Sequence, residues 1–263
     1  MEHNLFVVDA FTNQPFSGNP AGVCILEKER EEAWMQALAF ELDFSETAFV
    51  LPEGEDFSLR WFTPKTEVNI CGHATLAAGH ILWEKNILPQ DKTIAFHTRS
   101  GILTSKKTAT LIEMTFPAMY ARPEEFDPEL LTVFKINPLY VGKFEDKQLI
   151  EVENEQIVRS LDPDFNRLRQ LDERAVVITA QSDSPEYDFV SRYFSPWVGV
   201  NEDPVTGTSH CCLATYWSKR LEKKELRGYQ ASPRGGSVNV RYEGDKVMLG
   251  GQAVTVFEAR LFV

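Results

Sequence analysis

The chain has 263 residues, 43% hydrophobic and 25% charged, the profile of an ordinary globular protein with enough chain for one large domain or two modest ones. Its 27 basic and 39 acidic residues give a net charge of −12, which disfavours a nucleic-acid binder because phosphate affinity needs clustered Lys and Arg. A small anionic ligand remains open, since a local helix terminus can outweigh the global field.

The opening Met1–Phe6 shows no basic region followed by a long apolar run, and no apolar run is long enough to cross a bilayer. Neither a signal peptide nor a membrane span is therefore expected. The four cysteines, Cys24, Cys71, Cys211 and Cys212, contain no CxxC pair. They read as reduced thiols of a cytoplasmic protein, not as a disulfide frame or a zinc site.

In chain order, Leu5–Phe11 predicts an opening strand, and Thr12–Pro20, with two prolines, a glycine and two asparagines, predicts a loop. Ala21–Leu26 is a second strand. Glu29–Leu42 has helical spacing, with Ala33, Trp34, Ala37, Leu38 and Leu42 on one face. Ser45–Val50 runs from a polar turn into a strand, and Phe57–Thr63 is another. Asn69–Trp83 and Pro204–Ser218 contain no Asp, Glu, Lys or Arg. A helix apolar all round must be buried on all sides, so each predicts a central helix wrapped by strands. Ile94–His97, Ile102–Ser105 and Thr110–Thr115 close the first wrap. Val176–Thr179, Phe189–Phe194, Val238–Tyr242, Val247–Leu249 and Ala253–Phe262 serve the second. Asp127–Phe134 and Asp164–Leu171 read as short helices.

The chain repeats itself over a domain-sized interval. Arg60-Trp61-Phe62-Thr63-Pro64 recurs as Arg192-Tyr193-Phe194-Ser195-Pro196, and each copy leads to a glycine-centred turn at the head of an apolar stretch. Gly72 and Gly207 are 135 apart (207 − 72), as are Arg99 and Arg234 (234 − 99). The expected class is α+β, with two pseudo-symmetric lobes, each a β-roll around a buried helix. The lobes are expected over 1–117 and 118–263, with the last strand able to cross back to the first, and a small-molecule cleft is expected between them.

Each glycine turn should present unsatisfied N–H groups at the positive end of a helix dipole, a seat for a carboxylate. The plainer reading is a glycine that merely permits a tight turn. Glu46 stands at the mouth of an apolar strand, where desolvation can raise a carboxyl pKa towards neutrality and suit proton transfer at carbon; it also reads as an edge-strand or capping glutamate. His73 follows the first glycine and could move a proton. Asp203 precedes the second and also reads as a turn residue or N-cap. Thr208 matches His73 (208 − 135 = 73) and offers a hydroxyl. A two-thiol racemase would need a cysteine opposite Cys71, but the duplicate position (71 + 135 = 206) is Thr206. Cys24 reads as core, His80 and His210 as packing residues, and His3 and His97 belong to no constellation. There is no P-loop, GxGxxG after a strand, HExxH or nucleophile elbow, so no nucleotide, metal or flavin cofactor is expected.

Val8-Asp9-Ala10-Phe11, Gly18-Asn19-Pro20-Ala21-Gly22-Val23, Ser45-Glu46-Thr47-Ala48-Phe49, Cys71-Gly72-His73-Ala74-Thr75 and Glu202-Asp203-Pro204-Val205-Thr206-Gly207-Thr208, with Gly250-Gly251 near the end, resemble the phenazine-biosynthesis isomerase (PhzF-like) family. The motifs fall in family order over nearly the whole chain. The resemblance implies the diaminopimelate epimerase-like fold, a homodimer, and cofactor-free isomerisation of a small carboxylate such as a dihydro-hydroxyanthranilate. It implies Glu46 as acid/base, His73 and Asp203 beside it, and Ser45, Gly72, Gly207 and Thr208 as substrate-binding groups, Thr208 standing where serine is common. The other readings are an amino-acid racemase or epimerase and a non-catalytic binder of small carboxylates.

Overall fold

A computed structural model describes residues 3–262 and divides into two compact units: 1–116 with 249–263, and 117–248. In the first, β1 (His3–Ala10), β2 (Asn19–Ile25), α1 (Glu32–Leu42), β3 (Thr47–Glu53), β4 (Asp56–Phe62), β5 (Glu67–Val68), α2 (Gly72–Glu84), β6 (Ile94–Thr98), β7 (Gly101–Lys107) and β8 (Ile112–Pro117) follow in order. The second unit holds α3 (Glu129–Phe134), β9 (Tyr140–Phe144), β10 (Lys147–Glu151), α4 (Glu155–Arg159), α5 (Phe165–Leu168), β11 (Ala175–Gln181), β12 (Phe189–Ser195), β13 (Val200–Asp203), α6 (Gly207–Leu221), β14 (Glu225–Gln230) and β15 (Gly236–Glu243). The unit boundary falls within β16 (Lys246–Gly251), and β17 (Ala253–Leu261) ends the chain.

The two units repeat one pairing pattern. In the first, β1–β2 is antiparallel, β2–β3 parallel, β3–β4 antiparallel, β4–β5 antiparallel, β4–β6 parallel and β6–β7 antiparallel. In the second, β9–β10, β10–β11, β11–β12, β12–β13, β12–β14 and β14–β15 follow the same sequence of senses. The helix after the fifth strand of each set is the uncharged segment: α2 in the first, α6 in the second. From Gly72 to Trp83 only His80 escapes full burial, so α2 is a core helix on every face. β17 pairs with β1 along its length, placing the last strand with the first unit although chain order sets it beside the second.

Both units also carry the same fastening. Arg60 on β4 donates from Nε to Glu67 Oε1 at 2.7 Å and from Nη2 to Glu67 Oε2 at 2.6 Å. Arg192 on β12 donates from Nε and Nη2 to the two carboxylate oxygens of Glu202 at 2.7 Å each. Such two-point forks fix direction as well as distance. Each guanidinium also lies over the phenylalanine two residues on, 5.1 Å from Phe62 and 4.9 Å from Phe194. The second connection is three residues longer (202 − 192 = 10 against 67 − 60 = 7), and the 3-10 turn Pro196–Val198 lies within it.

Several sequence expectations are corrected. α1 begins at Glu32 rather than Glu29, with Glu31 as an N-cap that makes no side-chain capping bond. Its buried stripe is Met35, Leu38 and Ala39 with Trp34 and Leu42 partly covered, whereas Ala33 and Ala37 are exposed. Met35, Leu38 and Leu42 at i, i+3 and i+7 set the face, with Ala39 at i+4 buried between them, and Ala33 and Ala37 fall outside it. The strands β9, β10 and β14 are additions to the expected set; their mixed polar sequences lack a clean alternation.

Candidate active site

Two parallel strands and one helix start build the first group of residues. β2 and β3 run side by side with Gly22 opposite Thr47, so Asn19 at the head of β2 lies beside Ser45 and Glu46 at the head of β3. Gly18 makes that placement. Its φ is +64°, and a Cβ there would lie 2.2 Å from the Ala10 carbonyl oxygen, so only glycine fits. On β1, buried Asp9 accepts a 2.6 Å bond from the Phe16 N–H and so ties down the loop between β1 and β2. At the other end of the chain Gly251 admits Phe11 and Leu76 to within 2.5 and 2.9 Å of its absent Cβ.

His73, on the first turn of α2, is the hub. Its Nδ1 lies 3.3 Å from Asn19 Nδ2 and 3.5 Å from Cys71 Sγ. Its Nε2 lies 3.3 Å from Ser45 Oγ and 3.5 Å from Glu46 Oε2. Ser45 Oγ donates to Asn19 Oδ1 at 3.4 Å, closing the ring of contacts. Burial pushes the His73 pKa down from 6.5 to about 3, so the imidazole is neutral near pH 7. The His73 side chain is 5% exposed and that of Glu46 22%, so the carboxylate is the member that reaches outward.

The ligand atoms of Glu46, Cys71 and His73 lie within 4.8 Å of one another, a thiol, imidazole and carboxylate set that could hold a metal ion. His73 Nδ1 is already faced by both the Asn19 amide and the Cys71 thiol.

The second group lies at the start of α6. Thr206 is the N-cap, and its hydroxyl donates to Asp203 Oδ2. Gln230, fully buried at the end of β14, accepts from the Thr206 N–H at 2.9 Å and donates to the Asp203 carbonyl at 2.7 Å. The Thr206 carbonyl accepts from Ser209 Oγ at 2.9 Å and lies 2.8 Å from His210 Nδ1. Gly207 is buried and Thr208 half-buried on the first turn. Neither helix start has an acidic residue in its first turn, and neither N-cap side chain caps it. The positive dipole end is thus not neutralised from within the helix.

Of the residues singled out from sequence, Ser45, Glu46, Gly72 and His73 come together in the first unit, and Asp203, Gly207 and Thr208 in the second. Asn19 and Gln230 escape the sequence reading. Asn19 carries a signal, a polar residue between a turn glycine and a proline at the head of a buried strand; Gln230 carries none. All four cysteines are buried, and none is joined in a disulfide. Burial pushes the thiols of Cys24 and Cys212 up to about 12, and that of Cys211 upward too, so these are inert packing groups. His210 is fully buried, as a packing histidine should be, and His80 is partly exposed, 2.8 Å from Glu84. His97 lies 3.1 Å from Asp56; the side chain of His3 falls outside the described residues.

A family model, described as phenazine biosynthesis-like protein, matches residues 8–259. The chain belongs to the phenazine biosynthesis-like protein family. It is 51% identical over 260 residues to an uncharacterized isomerase of Halalkalibacterium halodurans, covering 98% of each chain. A crystal structure of a phenazine biosynthesis protein of the PhzF family from Enterococcus faecalis superposes with a TM-score of 0.95 at 37% identity, over 100% of both chains. A predicted epimerase from Pseudomonas aeruginosa shares the fold, with a TM-score of 0.75 at 19% identity over 99% of both chains. The fold is the α+β, diaminopimelate epimerase-like one, and the enzyme class of the family is isomerase. No helix among the described residues is long and apolar enough to cross a membrane.

Proposed function

We propose that the protein is a cofactor-independent isomerase that moves a proton on a small carboxylate substrate, with Glu46 as the acid/base. The observation that carries this is a partly exposed carboxylate 3.5 Å from a buried, neutral imidazole at a helix start. A carboxylate takes a proton from an acidic C–H, and the electron pair moves into the adjacent conjugated system. The same carboxyl then returns the proton at a neighbouring carbon, so nothing is consumed and the product is an isomer. His73 orients the carboxylate or relays its proton. Gly72 offers backbone donors to a substrate carboxylate at the first helix start, and Gly207 offers donors of the same kind at the second. Asp203, like His73, orients polar groups or relays a proton, and Ser45 and Thr208 are binding groups. A dihydro-hydroxyanthranilate-like compound fits the substrate class, and the working form is proposed to be a cytoplasmic homodimer.

Screening cyclic and amino-acid carboxylates for solvent deuterium incorporation tests the reading. Exchange by wild type and its loss in Glu46→Gln is the expected result; exchange at the wild-type rate in Glu46→Gln removes Glu46 from the chemistry. The racemase reading is kept alive by Cys71, whose sulfur lies 3.5 Å from His73 Nδ1. It predicts loss of activity in Cys71→Ala. A binding protein would instead show a carboxylate-dependent rise in Tm with no exchange in any compound.

A further inference from the structure

We propose that Asn19 is a positioning residue that locks His73 in the Nε2–H tautomer, so that the ring's single proton points at Glu46. The inference rests on the reading of Glu46 as the acid/base, but its first test needs no substrate. A neutral imidazole has one N–H and one lone pair, and whichever group faces each nitrogen decides which is which.

Ser45 is the reference point. Its hydroxyl donates to Asn19 Oδ1, which leaves the Asn19 amide nitrogen facing His73 Nδ1 at 3.3 Å. An amide nitrogen only donates, so Nδ1 carries the lone pair and the proton resides on Nε2. Nε2 faces Ser45 Oγ at 3.3 Å and Glu46 Oε2 at 3.5 Å. The ionised carboxylate only accepts, and it selects the same tautomer from the opposite side of the ring. Turning the Asn19 amide over would put its oxygen on Nδ1, move the proton there, and leave the Nε2 lone pair against the Glu46 carboxylate. Burial supports the arrangement, because it keeps the ring neutral and so keeps tautomer, not charge, as the variable. The backbone around Asn19 is correspondingly constrained. Gly18 sets the turn, Asn19 pairs with Ala10 in the β1–β2 ladder, and its side chain is fully buried.

The chemical consequence concerns both states of Glu46. With Nε2–H the imidazole stabilises the carboxylate before proton abstraction and supports its re-formation after the proton is returned. With Nδ1–H the ring would repel the carboxylate and favour a protonated, idle Glu46. A wrongly placed imidazole proton is enough to cost a catalyst orders of magnitude with geometry otherwise intact.

The test is long-range 1H–15N correlation NMR on protein labelled at its 5 histidines, with His73 assigned by loss of its signals in His73→Gln. Wild type at pH 7 should show a protonated Nε2 and an unprotonated Nδ1 at His73; the opposite pattern overturns the proposal. Glu46→Gln should keep that pattern if Asn19 is the lock, and reversal there assigns the role to Glu46 instead. Asn19→Asp, which only accepts, should move the proton to Nδ1 and lower the deuterium-exchange rate about 10- to 100-fold, with KM less affected. An unchanged tautomer in Asn19→Asp overturns the proposal. Should that variant not fold, Asn19→Ala serves: mixed tautomers are expected, and a pure Nε2–H signal there overturns it. If the tautomer behaves as described and no carboxylate exchanges hydrogen, the lock stands and the isomerase reading falls.

Discussion

The starts of α2 and α6 are the same structural device put to different uses. Each is a largely buried helix with no charged residue in its first twelve positions, whose first glycine follows an extended N-cap, Cys71 in one and Thr206 in the other. At α2 the surrounding side chains include a thiol and a carboxylate beside the imidazole. His73 keeps contacts of 3.3 to 3.5 Å with Asn19, Ser45, Cys71 and Glu46. At α6 the polar groups are closed on one another, with the Thr206 N–H on Gln230 at 2.9 Å and the Thr206 hydroxyl on Asp203. Long contacts around a partly exposed carboxylate leave room for a reacting group to enter, and catalytic hydrogen bonds are commonly long before substrate tightens them. A saturated network instead holds a fixed shape. On the proposed reading, the first helix start serves proton transfer and the second serves binding.

Removing the proposed acid/base should break that division most severely. Glu46→Gln is expected to lower solvent deuterium exchange by about a hundred- to ten-thousand-fold. Asp203→Asn should reduce it by only about tenfold, in keeping with lost positioning rather than lost chemistry. Steady-state exchange rates measured on both variants check the ranking, and equal losses would erase the contrast.

The second helix start should respond more in stability than in chemistry. Gln230→Ala strands the buried Thr206 N–H and is expected to cost about 1 to 3 kcal/mol. Urea denaturation measures that loss, and an unchanged midpoint would mean that the network is not structural.

Titration probes both halves at once. The buried histidines His73 and His210 have pKa values depressed to about 3 and about 4 from 6.5, chiefly by desolvation. An unfolded chain then binds more protons than the folded one below about pH 6.5, so stability falls as pH drops through this range towards 3. His73→Gln and His210→Gln should each flatten the stability–pH curve there, as read by Tm against pH. A curve that keeps its wild-type slope in both would place these rings outside the titration.

The smallest effect is expected at Cys71. Cys71→Ala should leave exchange within about threefold of wild type, because Thr206 stands at the matching position and no thiol pair can form. Near-complete loss would turn the comparison over and revive the racemase reading.

Much of this division is legible in the sequence, for physical reasons that differ by residue. Gly72 and Gly207 stand out because each heads an uncharged run, and the interval between them recurs between Arg99 and Arg234. Glu46 and His73 are readable as candidates but not as neighbours, since 27 residues (73 − 46) and the antiparallel run β3 to β5 separate them. Asn19 is hidden because its role depends on β2 lying beside β3, a non-local pairing. Gln230 is hidden more deeply; nothing about a glutamine at a strand end announces that it latches a helix start. The face of α1 is ambiguous in sequence because Ala33 and Ala37 satisfy the helical spacing as well as Met35 and Ala39 do.

The arginine forks on β4 and β12 give the molecule a separation of duties. Arg60–Glu67 and Arg192–Glu202 secure each connection upstream of its helix, so part of the fastening lies outside the helix mouth. Cysteine can become threonine there, and histidine can become threonine, while the mounting beneath stays as it was. A duplicated scaffold built in this way can diversify its reagents one half at a time, with each new side chain arriving on a socket that is already square.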